Sequence, residues 1–154
     1  ARLGMEVCAI DASHSGIEQA RSHFPGIRFE VRSAYDNLSE EFGRFPMVLS
    51  LEVIEHLYSP RLFTSTVFNL LEPGGHAVIS TPYHGYWKNL AIAASGKFDH
   101  HFSALWDGGH IKFWSRDTLA KLLAEAGFSQ VHFRRVGRIP ALAKSMVAIA
   151  KKPE

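Results

Sequence analysis

From end to end the sequence alternates short apolar runs of strand character with helix-length segments carrying one apolar face. That alternation is what most constrains the fold, because such a chain buries its strands in a sheet and covers the sheet with helices, a layered α/β architecture. Met5–Ile10 is a strand run that halts at Asp11, and Ser13 to Phe24 reads as a helix closed by Pro25 and Gly26. Ile27–Val31 alternates as a second strand, and Met47–Leu51 is a buried third. A helical turn over Glu52 to Leu57 precedes a helix with Ser59 as N-cap and Pro60 at its first position. Its inward face carries Phe63, Val67, Leu70 and Leu71. Glu72-Pro73-Gly74-Gly75 stops that helix, and His76–Ser80 returns as a strand. Ser115 caps a last helix with Leu119, Leu122, Leu123 and Ala126 on one face and Gly127 at its end. Ser129–Val136 and Ser145–Ala150 are then expected to pair as an antiparallel, hairpin-like edge.

With 154 residues, 46% apolar and 21% charged, the chain has material for one ordinary core, so a single domain over residues 1–154 is expected. Its net charge is +2 and no basic stripe occurs, which argues against nucleic acid as a partner. Cys8 is the single cysteine and lies in an apolar run, so no internal disulfide forms and the thiol is expected as a small core residue in a reducing compartment. No apolar stretch reaches the roughly 20 residues of a membrane span, and no basic-then-apolar leader pattern opens the chain. The expectation is a cytoplasmic protein, monomeric or homodimeric.

Asp11 carries the first chemical argument. An acid at the carboxyl end of a strand in an open α/β sheet sits where ligands bind, and its carboxylate can accept both ribose hydroxyls of an adenosine-type cofactor. The same acid, just ahead of Ser13, can instead cap the following turn. The glycine-rich turn that accompanies such a ribose ligand belongs upstream of Ala1. Ala1-Arg2-Leu3-Gly4 reads as the tail of the helix after it, so a first strand and its glycine loop are missing from the sequence as it begins.

Asp11, Ser33-Ala34-Tyr35, the run Leu49-Ser50-Leu51-Glu52-Val53-Ile54-Glu55-His56-Leu57, then Leu71-Glu72-Pro73-Gly74-Gly75 and Ile79-Ser80-Thr81-Pro82 resemble successive motifs of class I S-adenosylmethionine-dependent methyltransferases. The likeness is greatest to the ubiquinone-biosynthesis O-methyltransferase type. Gly109-His110-Ile111-Lys112-Phe113-Trp114-Ser115 and Leu122 through Phe128 resemble that group's closing helix. The resemblance implies a Rossmann-like three-layer sheet, mostly parallel with an antiparallel last strand, and S-adenosylmethionine across the carboxyl ends of its strands. It implies that Asp11 holds the ribose and Ala12 flanks the adenine, that Ser33, Ala34 and Tyr35 line the adenine, and that Ser50 and Leu51 approach the methionine part through backbone atoms. Ser33 departs from the commoner pattern, which has an acid directly after the strand; here Asp36 comes later. Tyr35 also has a plain reading as a packed loop aromatic.

Glu52, Glu55 and His56 are spaced i, i+3, i+4, which on a helical turn gathers them on one face. Two carboxylates and an imidazole suit Mg, Mn or Zn. The arrangement, with His110 as a later histidine, is similar to the metal site of methyltransferases acting on the 3′-terminal ribose of small RNAs. A cation there would bind the acceptor's neighbouring hydroxyls and lower the pKa of the one to be methylated. In the competing reading Glu52 touches the cofactor while Glu55 and His56 brace the turn.

Residues 83–109 concentrate aromatic and imidazole groups, among them Tyr83, His84, Tyr86, Trp87, His101 and Trp106. Following a strand that ends at Thr81-Pro82, they are expected as a lid-like insertion that shapes a pocket for a small-molecule acceptor, or as a small helical subdomain around Lys88 to Ser95 packed on the sheet. His84 or His101 could serve as general base where no metal does, and His110 is the other catalytic candidate. The function expected is methyl transfer to a hydroxyl of a small molecule. Transfer to an RNA 3′-terminal ribose and a non-catalytic methyltransferase-like binding module stand as alternatives; a nicotinamide oxidoreductase would leave the Glu52 to His56 turn without a role.

Overall fold

The structure is a computed structural model that describes residues 4–102 and 104–154. The helix tail read at Ala1–Leu3 lies outside the described residues. The chain divides into two compact units, Ala1–Leu38 and Ser39–Glu154.

The first unit is a βαβ element. Strand β1 (Cys8–Asp11) and β2 (Arg28–Val31) pair in parallel, with Asp11 opposite Val31, and α1 (His14–His23) connects them. A parallel pair needs a crossover of this length, and the helix supplies it. Ser13 caps α1, its side chain accepting from the Gly16 amide, and Ile17 is the helix's buried residue. Cys8 is half-buried rather than a core residue, because β1 keeps only intermediate burial along its apolar positions.

The second unit follows α2 (Leu38–Phe42), a short helix that no sequence signal announced. Its sheet runs in the order β3 (Phe45–Leu51), β4 (Leu71–Pro82), β6 (Ser145–Lys151), β5 (Ser129–Val136). Strands β3 and β4 are parallel, and β6 runs antiparallel to both β4 and β5, so the last strand alone is reversed. The expected antiparallel pair forms and closes one end of the sheet, with β5 outermost and β6 between β4 and β5. The reason is its apolar alternation: Met146, Ala148 and Ala150 are buried opposite Thr81, Ile79 and Ala77 of β4, a small-residue seam that only an interior strand completes.

That seam lies under helices α3 (Pro60–Asn69) and α6 (Arg116–Glu125), whose inward residues Phe63, Val67, Leu119, Leu122 and Leu123 are buried. Ser115 and Thr118 close a reciprocal capping box at the start of α6. Beyond its end Gly127 has a φ of 97°, and a Cβ there would stand 3.3 Å from the Phe68 ring, which packs edge-on against Phe128. The insertion after β4 holds α4 (Tyr86–Ala94) and α5 (Phe98–Phe102). No helix among the described residues is long and apolar enough to cross a membrane.

Candidate functional site

Two groups of predicted site residues fall in the two units, and each is described within its own. In the first, Asp11 ends β1 with an exposed carboxylate whose Oδ1 accepts from the Ser13 amide at 2.7 Å. The local turn therefore uses one oxygen of Asp11, and the turn-capping role read from sequence is real. Ala12 is exposed beside it, and Ala34 and Tyr35 are half-buried. Ser33 and Asp36 close a turn after β2: Asp36 Oδ2 accepts from the Ser33 amide at 2.9 Å, and Ser33 Oγ accepts from the Tyr35 amide at 3.2 Å. The acid that arrives late in the sequence thus folds back to the strand end where the commoner pattern has one.

In the second unit, β3 ends at Leu51 and the chain turns sharply. Ser50 carries a buried hydroxyl without a hydrogen-bond partner, and Leu51 is exposed. The helical turn expected over Glu52 to Leu57 is only a 3-10 turn, Ile54–His56. Glu52 lies outside it with a φ of 53°, a left-handed conformation rare for a residue with a side chain. It is held there by Ser80: the Glu52 amide donates to the Ser80 carbonyl, and Ser80 Oγ donates to Glu52 Oε1 at 2.7 Å. Glu52, Glu55 and His56 therefore do not share one helical face.

Glu55, His56 and His110 do converge, each offering a ligand atom within 4.8 Å of the others. Backbone hydrogen bonds bring the distant histidine to the turn, because the amides of Ile111 and Lys112 both donate to the Glu55 carbonyl, at 2.9 and 3.0 Å. The two imidazoles meet edge to face at 4.8 Å between centroids, with the Trp106 ring beside both. Glu55 is 1% exposed; Thr81 Oγ1 donates to its Oε2 at 3.0 Å, while Oε1 is buried and unpartnered. Burial pushes the Glu55 carboxyl above its ordinary range.

His56 Nδ1 lies 3.2 Å from the Gly109 carbonyl. A carbonyl only accepts, so Nδ1 carries the proton of that contact, and Nε2 lies 4.0 Å from Glu55 Oε1. Burial first, then the neighbouring His56, lowers the affinity of His110 for a proton. A buried carboxylate oxygen and two imidazole nitrogens around one point are a donor set for a divalent cation, with the Thr81 hydroxyl and Gly109 carbonyl as the outer partners of Glu55 and His56. Thr81 lay inside a recognised motif, but nothing in its spacing assigned it this role.

His84 is 7% exposed and stands apart from this group. Its ring packs on Phe102, Phe113 and His101, with Nδ1 3.3 Å from Asn89 Oδ1, and burial pushes its pKa down to about 4. At neutral pH it is a packed, uncharged ring with little appetite for a proton. His101 is half-buried and likewise lowered, burial being the main cause.

Compared with known proteins, residues 1–132 match the methyltransferase-domain family. The chain is 40% identical over 100 residues to the ubiquinone biosynthesis O-methyltransferase of Caulobacter vibrioides, covering 62% of this chain and 39% of that protein. To the protein of the same name in Ruegeria pomeroyi it is 34% identical over 136 residues, covering 85% of this chain and 54% of that one. The chain thus spans about half the length of the curated relatives it matches. Among solved structures, the Burkholderia thailandensis 1,6-didemethyltoxoflavin-N1-methyltransferase, with its substrate and S-adenosylhomocysteine bound, superposes with a TM-score of 0.66 at 20% identity, over 99% of this chain and 64% of that one. This likeness is one of fold, and it agrees with the Rossmann-like architecture that the family resemblance implied.

Proposed function

This chain belongs to the methyltransferase-domain family, and from that premise we propose that it transfers the methyl group of S-adenosylmethionine to a hydroxyl of a small-molecule acceptor, with a divalent cation assisting. The observation that carries the reading is the group of Glu55, His56 and His110, in which a buried, unpartnered carboxylate oxygen faces an imidazole nitrogen whose tautomer is fixed. The names of the curated relatives favour oxygen as the methyl acceptor, and the 1,6-didemethyltoxoflavin-N1-methyltransferase with its bound S-adenosylhomocysteine supports the cofactor.

S-adenosylmethionine, when bound, supplies a methyl on a sulfonium, which leaves as a neutral thioether as the new bond to oxygen forms. In the first unit Asp11 keeps one carboxylate oxygen for the Ser13 amide and offers the other, exposed, to ribose hydroxyls. Asp36, folded back on the Ser33 amide, stands in for the strand-end acid as an acceptor for an adenine amino group. Glu55, His56 and His110 would hold Mg, Mn or Zn, and a cation there would lower the pKa of an acceptor hydroxyl and fix its oxygen. Thr81 keeps Glu55 ionisable by donating to it, and the Gly109 carbonyl keeps His56 in the tautomer that can ligate. His110 borders the adjoining cavity as well, so we assign it the hydroxyl proton where no cation is bound. His84 has the role of a packing residue. A reducing, cytoplasmic location suits a sequence with a single cysteine.

The experiment is a methyl-transfer assay of the full-length protein with methyl-labelled S-adenosylmethionine and catechol, run with Mn²⁺, with Mg²⁺ and with chelator, alongside calorimetric titration of Mn²⁺ into His110→Ala. Expected are cation-dependent transfer and loss of Mn²⁺ binding in the variant. Failure of the wild-type protein to bind S-adenosylmethionine would sink the enzymatic reading, and undiminished Mn²⁺ binding by His110→Ala would sink the cation site.

A further inference from the structure

Strand β4 outruns its parallel neighbour. β3 leaves the sheet after Leu51, which lies opposite Ser80, whereas β4 continues through Thr81 to Pro82. The hydroxyls of Ser80 and Thr81 therefore meet the turn that follows β3, and each takes one of its two glutamates. Ser80 Oγ donates to Glu52 Oε1 at 2.7 Å, and Thr81 Oγ1 donates to Glu55 Oε2 at 3.0 Å. Ser80 is buried, 8% exposed, and grips Glu52 twice. The Glu52 amide can only donate, so it takes a lone pair of Ser80 Oγ at 3.1 Å, while the hydroxyl proton goes to the carboxylate. One hydroxyl thus fixes the main chain and the side chain of the same residue.

What it fixes is strained. Glu52 has a φ of 53°, a region that costs a residue with a side chain free energy and that glycine enters freely. Such strain persists only where the surroundings over-determine it, and it gathers at functional sites. The bend has a visible product. Beyond it, the 3-10 turn Ile54–His56 presents two carbonyls to the strap formed by residues 109–114. Trp114 Nε1 donates to the Ile54 carbonyl at 3.4 Å, and the amides of Ile111 and Lys112 donate to that of Glu55. These bonds dock the strap where His110 meets Glu55 and His56. A Glu52 relaxed into the right-handed region would send the chain after it in another direction, and the strap would lose those acceptors.

We infer that Ser80 is a positioning residue of the cation site: by holding Glu52 in its left-handed bend it aims the turn at the strap, and the Glu52 side chain is the handle of that bend rather than a ligand. For its effect on metal this rests on Glu55, His56 and His110 being the ligands; for the docking of the strap it does not.

The test is a rescue. Ser80→Ala, Glu52→Gly and the double variant are made in the full-length protein; Mn²⁺ is titrated calorimetrically, and hydrogen exchange at the Ile111 and Lys112 amides is followed by NMR without metal. Ser80→Ala should weaken Mn²⁺ binding roughly tenfold or more and speed exchange at both amides by a similar factor. Glu52→Gly reaches the same φ without a handle and removes only an exposed charge, so both readouts should stay within about threefold of wild type. The double variant should recover to that level, a rescue that a merely structural serine would not show. If Ser80 serves the Glu52 carboxylate instead, Glu52→Gly loses as much as Ser80→Ala and the double variant does not recover; that result overturns the inference, as do unchanged affinity and exchange in Ser80→Ala. Should Ser80→Ala fail to fold alone, the other two variants decide: binding and protection retained in both support the inference, and their loss in either overturns it. The metal-free readout separates the two readings. If the wild type binds no Mn²⁺ yet amide protection falls in Ser80→Ala and returns in the double variant, the positioning role stands and the cation reading falls; if Mn²⁺ binds the wild type and Ser80→Ala alike, the positioning role falls and the cation site stands.

Discussion

Acid should unfold this protein through His84. In the native state the imidazole is enclosed by Phe102, Phe113 and His101, and its pKa falls from 6.5 to about 4 because a charged ring there loses its water. In the unfolded chain the ring titrates normally, so between these two values the unfolded state holds more protons than the native one. Stability contributed by the neutral ring is therefore complete above the unfolded pKa and is lost as pH falls through the window from 6.5 to about 4. At about 1.4 kcal/mol per tenfold change in proton affinity, the whole window is worth about 3 kcal/mol, and about 2 kcal/mol is gone by roughly pH 5. That is a large part of the stability of a small domain. Urea denaturation of the wild type and of His84→Gln at pH 7.5 and pH 5 measures it, the difference between the two losses cancelling groups common to both. The wild type should lose about 2 kcal/mol more than the variant between those pH values. A ring proton of His84 that titrates near pH 6.5 by NMR, or equal acid losses in both proteins, would refute the assignment of a buried neutral ring.

Two further outcomes follow from single contacts. Thr81→Val removes the one hydroxyl among the described residues that donates to Glu55 Oε2; a loss of about 1–3 kcal/mol in denaturation and roughly tenfold or greater weakening of Mn²⁺ binding are expected, and unchanged values for both would show that Thr81 does not orient Glu55. Ser115→Ala opens the capping box at the start of α6 and should cost about 1 kcal/mol, read as a lower thermal midpoint with no change in cation binding.

Most of the second unit was legible because local chemistry and tertiary packing agree there. Ser115 caps α6, Pro60 starts α3, and Phe63, Val67, Leu119, Leu122 and Leu123 of the expected inward faces are buried, whereas Leu71 belongs to β4 instead of α3 and Ala126 is only half-buried. What escaped was non-local. Whether β6 sits at an edge or inside depends on which neighbour accepts its small residues, and only the register of Ala148 and Ala150 against Ile79 and Ala77 answers that. The short helix α2 has too few residues for a periodic signal. The burial of Lys88 escaped for the same kind of reason: its spacing in α4 is ordinary, and the carbonyl that takes up its ammonium belongs to Lys144, 56 positions away.

In the candidate cation site Glu55, His56 and His110 of the four expected ligands gather, and the backbone explains why Glu52 does not join them. An i, i+3, i+4 pattern gathers side chains only if the backbone between them is helical, and Ser80 prevents that by holding Glu52 in a left-handed conformation at the end of β3. The vacated place is taken by His110, which the Glu55 carbonyl recruits through the amides of Ile111 and Lys112. One residue thus does two jobs, its main chain docking the distant strap and its side chain offering the buried oxygen. The same strap carries the Gly109 carbonyl that fixes the tautomer of His56. All three donors therefore depend on one docking event, so the site assembles as a unit or not at all. A peptide containing the turn alone, with both its carboxylates and its histidine, would lack the geometry that makes Glu55 and His56 ligands.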